Sequence, residues 1–325
     1  MIATTQVSTA TLAFCRDPIF IIGAPRSGTS ILASSLGQHS ALWYSTEANF
    51  LPALFGRLDL HEIHARATHW LDKEGVPREE FLESLGLGIN ALFTSRSGGR
   101  RWIEKTPRNT LIVNVLAAVF PDACFLHVLR DGRRVAHSMV HFLNAVPERT
   151  KAKWDAFDCA PRWCSDFRLA CRTWQEYVDA ALAFAVSRPS QCLTIRYEKL
   201  LADPQQSFAK VFEFLGVSHE AAPAAFLRSR RINSSFQRGS VGPPPADFLS
   251  DPWQRWTLEQ RQTFLEEAGT MMVRCGLLTA DQLRELETDA GVPIDGLSVR
   301  VQEDGSTVRY ATGFCQSSVA NTVST

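Results

Sequence analysis

The sequence predicts an α/β fold: a doubly wound, mostly parallel sheet with helices on both faces and helical insertions. Three observations predict it. Short, wholly apolar runs such as Pro18–Ile22 and Cys124–Leu129 recur along the chain, as strands buried on both faces require. Helical patterns separate these runs, which is the alternation of βαβ units. The first run also passes through a Gly/Pro/Ser loop straight into a helical pattern. A chain of 325 residues with 45% hydrophobic content has ample material for one such core.

Residues 1–16, rich in Thr, Ser and Ala, are expected to form a flexible leader to a domain spanning 17–278. Pro18 to Ile22 is the first strand, and Ile31, Leu32, Ser35 and Leu36 mark one face of the helix after the loop. Trp102 to Lys105 is a second strand, stopped by Thr106-Pro107. A helix over Leu111–Phe120 is broken by Pro121-Asp122, and Cys124–Leu129 follows as the third strand. Gly132 to about Leu143 is then helical, and Gln191–Arg196 is a fourth strand. Helical insertions at about 53–95 and 144–188 can roof the carboxyl edge of the sheet. Later helices announce their starts: Asp203-Pro204-x-Gln206 orders a cap, an N1 proline and a capping-box glutamine, and Thr257-x-x-Gln260 and Thr279-x-x-Gln282 repeat the box. Beyond the domain, 279–325 reads as a helix, a hairpin of 298–302 and 306–310 around Asp304-Gly305, and a polar tail expected to be disordered. No internal repeat is visible.

Composition narrows the function classes. Thirty-four basic residues balance 34 acidic ones, so no bulk charge points to nucleic acid or an anionic membrane. No apolar run approaches the length of a membrane span, and no cation precedes Arg16, so no signal-like segment is expected. The eight cysteines form no CxxC pair, and Cys159, Cys164 and Cys171 match no zinc spacing. Buried free thiols in a reducing compartment are expected, hence a cytoplasmic protein with no metal. Oligomeric state is left open.

The chemistry concentrates in Gly23-Ala24-Pro25-Arg26-Ser27-Gly28-Thr29-Ser30. Gly23 and Gly28 stand at Walker A spacing between a strand and a helix, where backbone amides and the helix dipole hold an anion. The Walker lysine position, however, is Thr29. A nucleoside triphosphatase or kinase of this fold would lack its β/γ-phosphate lysine. The cation has moved to Arg26, among hydroxyls at Ser27, Thr29 and Ser30. A second anchor is Phe125–Ser138, in which a buried strand delivers Arg130 to its carboxyl end and Ser138 follows on the next helix. An arginine so placed can grip a phosphate bidentately, or it can simply pair with Asp131 or a core carboxylate. Arg133 and Arg134 read as solvated helix charges.

Together, the PRSGTS loop and the strand–Arg–x₇–Ser pattern resemble the 5′-phosphosulfate and 3′-phosphate motifs of sulfotransferases that use 3′-phosphoadenosine 5′-phosphosulfate (PAPS). The likeness is to the bacterial and tyrosylprotein-like branch and covers about residues 18–276. It implies a P-loop-like fold and PAPS as co-substrate with no metal. Arg26, Ser27, Gly28, Thr29 and Ser30 would hold the phosphosulfate, and Arg130 and Ser138 the 3′-phosphate. Tyr197, in Ile195–Leu200, would lie near the adenine. Ser234, in Ile232-Asn233-Ser234-Ser235 ahead of Asp251-Pro252-Trp253-x-x-Trp256, would lie in the loop that closes over the nucleotide.

For catalysis, Glu47 in Ser45–Phe50 aligns with the family's glutamate base, and Lys105 with the lysine that steadies the leaving phosphate; Arg26 is the further catalytic cation. Pro107 stands where enzymes acting on small phenols carry a histidine base, which moves that role onto Glu47. The acceptor is expected to be a hydroxyl-bearing small or medium metabolite, with a sugar or lipid hydroxyl behind it. Aromatic residues of the insertions, among them Phe50, Trp70, Phe142, Trp154 and Trp163, are candidates for its pocket. Two other classes stay open: a P-loop kinase or triphosphatase, and a silent module that binds PAPS or its desulfated product, PAP.

Overall fold

The computed structural model describes residues 13–56, 69–157, 160–229, 251–292, 297–301 and 307–311. Five strands form one all-parallel sheet: β1 (Ile19–Ile22), β2 (Leu42–Tyr44), β3 (Arg101–Glu104), β4 (Cys124–Leu129) and β5 (Cys192–Arg196). Their order is β2-β3-β1-β4-β5. The helices are α1 (Thr29–Leu36), α2 (Phe50–Phe55), α3 (Arg78–Ser97), α4 (Val113–Val119), α5 (Gly132–Val140), α6 (Glu148–Phe157) and α7 (Phe167–Ser187). They continue as α8 (Tyr197–Ala202), α9 (Pro204–Leu215), α10 (Ala222–Ser229), α11 (Leu258–Phe264), α12 (Thr270–Arg274) and α13 (Ala280–Asp289). A π-turn, Leu265–Gly269, joins α11 to α12. Leu297–Val301 and Thr307–Ala311 pair antiparallel as a separate ribbon, β6 and β7.

The sheet is doubly wound, as expected. Alternation along β1 sends Ile19 and Ile21 to one face with α1, α9 and α10, and Phe20 and Ile22 to the other with α2, α4 and α7. All four are fully buried, which is why the run carries no polar residue. A third cluster packs α5 and α7 against the C-terminal helices through Trp174, Trp253, Trp256 and Phe264.

One strand and several boundaries differ from the sequence reading; among the latter, the second strand runs Arg101–Glu104 and the helix from Gly132 ends at Val140. The edge strand β2 is absent from that reading, because three residues are too few for a period to show. The helix expected from Leu111 begins at Val113, after a 3₁₀ turn over Pro107–Ile112 that leaves the chain close to the sheet edge. The three predicted caps are formed: Asp203 accepts the Gln206 amide at 3.0 Å, and Thr257 and Thr279 each close a full capping box.

β1 lies centrally, paired with β3 on one side and β4 on the other. The chain therefore leaves β1 to build one half of the sheet and returns to build the other. Such a reversal opens a crevice at the carboxyl ends of the strands, where open α/β folds bind ligands.

Candidate active site

Three strand ends feed that crevice. After β1 the chain turns at Gly23, with a φ of 143°. A Cβ at this position would come within 2.6 Å of the Val128 carbonyl oxygen, so the turn admits only glycine. The Gly23 N–H donates to Thr110 Oγ1 at 2.8 Å. Arg26 and Gly28 take positive φ values of 69° and 98°, which curls the loop before α1 starts at Thr29. No side chain caps α1, and its first turn holds no acidic residue, so nothing of its own competes for its first amides. Ser27 is buried beside them, and its Oγ has no hydrogen-bond partner among the described residues.

β3 delivers Lys105, which is 1% exposed. Its Nζ donates to Ser30 Oγ at 2.9 Å and forms an ion pair with Glu47 Oε1. The phosphate loop, the end of β3 and the β2–α2 connection thus meet at one ammonium. The Glu47 side chain is 28% exposed. Nearby, burial pushes the Tyr44 phenol up, and the Glu47 and Glu104 charges add to the shift.

β4 delivers Arg130, only 5% exposed. Its Nη1 donates to the Arg26 carbonyl at 2.8 Å, and its guanidinium lies 4.7 Å over the Tyr197 ring. Trp174 Nε1 donates to the Arg130 carbonyl at 3.2 Å and fixes the backbone there. Arg26 Nε donates to Ser138 Oγ at 3.2 Å, with the guanidinium 4.9 Å over Phe142. The Gly28 backbone is pressed against the Tyr197 ring so closely that a Cβ would overlap it. Arg26, Gly28, Arg130, Ser138 and Tyr197 therefore form one cluster. Arg26 joins this group through Ser138 and Phe142. Burial lowers both guanidinium pKa values, Arg26 to about 10 with repulsion from Arg130 contributing. Two desolvated cations side by side make a site that gains from an anion.

Residues 18–221 match the profile described as the sulfotransferase family. The chain belongs to the sulfotransferase family. Protein-tyrosine sulfotransferase 2 of Gallus gallus is 27% identical over 203 residues, covering 62% of this chain and 51% of that protein. This chain thus spans about half the length of that relative. Nodulation protein NoeE of Sinorhizobium fredii is 25% identical over 309 residues, covering 86% of this chain and 70% of its own. Among solved structures, the sulfotransferase domain from the curacin biosynthetic pathway superposes with a TM-score of 0.45 at 18% identity, covering 86% of this chain and 99% of that one.

Within this family member, ten of the sequence-predicted residues fall in described segments, and Ser234 lies outside them. Asp131 turns to Arg133: it caps α5, accepting the Arg133 amide at 2.8 Å, and pairs with Arg133 Nη2 at 2.7 Å. Arg133 is accordingly no solvated charge, since its side chain is 16% exposed and also bridges to Asp251 at 2.8 Å. The aromatic candidates divide: Phe142 is buried, with Trp154 and Trp163 packed on it, whereas Phe50 and Trp70 are exposed. Three residues have no role in the sequence reading: Glu104, Thr110 and Trp174. A carboxylate inside an otherwise buried strand is the available signal for Glu104. Thr110 and Trp174 act through backbone contacts that no pattern announces.

Proposed function

We propose that the chain transfers a sulfuryl group from PAPS to an acceptor hydroxyl, with Glu47 as general base. The observation that carries this reading is the Lys105 ammonium, shared between Ser30 of the phosphate loop and Glu47. It joins an anion cradle to a base across one cation. The residues present suit PAPS: the Ser27 hydroxyl, with no partner among the described residues, and the α1 amides at one end, and the buried Arg26–Arg130 pair beside Ser138 and Tyr197 at the other.

When bound, PAPS supplies the sulfuryl group and a phosphate oxygen that leaves with the electron pair of the broken bond. Glu47 takes the proton of the acceptor hydroxyl as the new oxygen–sulfur bond forms. Lys105 Nζ turns its positive charge toward the oxygen on which charge grows. Arg26 and Arg130 hold the remaining phosphate charge. Lys105 and Arg130 act from the ends of β3 and β4, and holding the groups in register before the acceptor arrives lowers the barrier.

For the acceptor, balanced composition and the aromatic group at Phe142, Trp154 and Trp163 support a small or medium hydroxylated metabolite. A second reading, a peptide tyrosine, is favoured by relatives named protein-tyrosine sulfotransferases. The kinase reading is weakened by Thr29 at the Walker lysine position, and the silent-binder reading by the Glu47–Lys105 pair. We place the chain in the cytoplasm on the strength of its six described cysteines, all free thiols, and fractionation of the tagged protein tests that. No helix among the described residues is long and apolar enough to cross a membrane. The deciding experiment for the function offers PAPS with phenols, sugar alcohols and tyrosyl peptides and weighs the products. A mass gain of one sulfuryl group on any of them supports the reading. PAP raising the melting temperature with no product from any acceptor supports the silent binder.

A further inference from the structure

Glu104 ends β3, one residue before Lys105, and is 1% exposed. A buried carboxylate is costly unless every lone pair finds a donor. Here one donor comes from the loop that carries the base, and two come from the segment that follows β3. Glu104 Oε1 accepts the Ala48 N–H at 3.1 Å and the Thr106 hydroxyl at 2.7 Å. Thr106 Oγ1 in turn accepts the Asn49 N–H at 3.3 Å. Glu104 Oε2 accepts from Asn109 Nδ2. Two consecutive amides directly after Glu47 are thus tied to the residues on either side of Lys105.

The loop needs such ties. It makes a sharp turn, with Asn49 at φ 29°, a conformation that non-glycine residues rarely hold without outside support. It also carries the Glu47 carboxylate from the end of β2 to the Lys105 ammonium at the end of the paired β3. We propose that Glu104 is a positioning residue: by binding the Ala48 amide directly and the Asn49 amide through Thr106, it sets the position of Glu47 relative to Lys105. It works through its acceptor atoms rather than by exchanging a proton with substrate. The claim rests on the reading of Glu47 as base, and part of its test is independent of turnover.

Glutamine supplies the discriminating variant. It keeps an acceptor oxygen for Ala48 and Thr106, and its amide can face Asn109 Oδ1, which is buried with no partner among the described residues, once the Asn109 amide turns over. Methionine keeps the length and supplies no acceptor of comparable strength. Glu104→Met is expected to lower kcat by about 10- to 100-fold, the penalty for a displaced catalytic group. The Kd for PAP should stay within about 3-fold, since Glu104 touches none of the proposed nucleotide ligands. Amide exchange at Ala48 and Asn49 should speed up by about 10-fold while β1 and β4 stay protected. Glu104→Gln should keep kcat within about 5-fold of the parent. Gln as slow as Met would make Glu104 a proton-transfer group and overturn the proposal, as would unchanged exchange at Ala48 and Asn49 in Glu104→Met. Should Glu104→Met not fold, Thr106→Val removes the Asn49 tie and one donor to Glu104 Oε1 but leaves the Ala48 tie, so exchange must speed up more at Asn49 than at Ala48. An inert parent protein would defeat the proposed function, and the exchange data would still decide whether Glu104 holds the loop.

Discussion

Arg130→Ala separates a ligand-binding arginine from a structural one. Two contacts of Arg130 within the chain do not depend on which nucleotide is bound. Its hydrogen bond to the Arg26 carbonyl at 2.8 Å is of the charged-donor kind, worth about 1.5–3 kcal/mol. Its stacking 4.7 Å over Tyr197 adds about 0.5–2 kcal/mol. Losing both loosens the phosphate loop and weakens every nucleotide alike. The proposed contact to the 3′-phosphate adds a third loss of about 1.5–3 kcal/mol for PAP alone, equal to about 10- to 150-fold. Calorimetric titration of PAP and of adenosine 5′-phosphate into parent and variant reads both parts. The preference for PAP should shrink by that factor in Arg130→Ala. Arg130→Lys, which keeps the charge without the planar fork, should fall between the two. Equal losses for the two nucleotides would refute the phosphate role and leave Arg130 as a structural brace.

Three other outcomes are expected. Gly28→Ala places a Cβ inside the Tyr197 ring at a φ of 98°, so PAP affinity should fall by at least about 10-fold by titration. Wild-type affinity would mean that Tyr197 moves freely and is no part of the site. Turnover should survive a metal chelator, because Arg26 and Lys105 supply the positive charge; loss restored by magnesium would contradict this. Stability should drop on acidification through His127, buried in β4 opposite Thr194 of β5, with Nδ1 3.2 Å from Thr194 Oγ1. Burial lowers its pKa to about 4, so below pH 6.5 the unfolded chain takes up a proton that the folded chain refuses. Stability is full above pH 6.5, falls as pH approaches 4, and should be lower by about 2 kcal/mol at pH 5 from this group. Denaturant melts of His127→Gln should show a shallower fall over that range, and an identical fall would refute the assignment.

The parts of the fold that are legible in the sequence are those written in local pattern. Ile19–Ile22 can be read as a buried strand because both faces of it are core, and Thr257 and Thr279 as caps because a capping box is a contact within four residues. The edge strand β2 escapes because Leu42–Tyr44 is held by pairing with β3, a long-range contact with no local trace. The site divides the same way. Gly23, Gly28 and Arg130 stand in spaced motifs, and the crevice assembles around them. Glu104 carries no such mark because its role depends on the Ala48 amide, 56 positions earlier in the chain. Arg133 reads as solvated because Asp251, its second partner, lies 118 residues away.

Single-turnover sulfuryl transfer by Glu47→Gln tests the central claim most directly. Glutamine preserves the shape of the side chain and can still face Lys105, but it cannot take the acceptor's proton. With PAPS saturating and the best acceptor of the panel, the rate of product formation should fall by about 10²–10⁴-fold, while the Kd for PAP stays near the parent value. Near-parental transfer by Glu47→Gln would show that another group is the base and that the Glu47–Lys105 pair is structural.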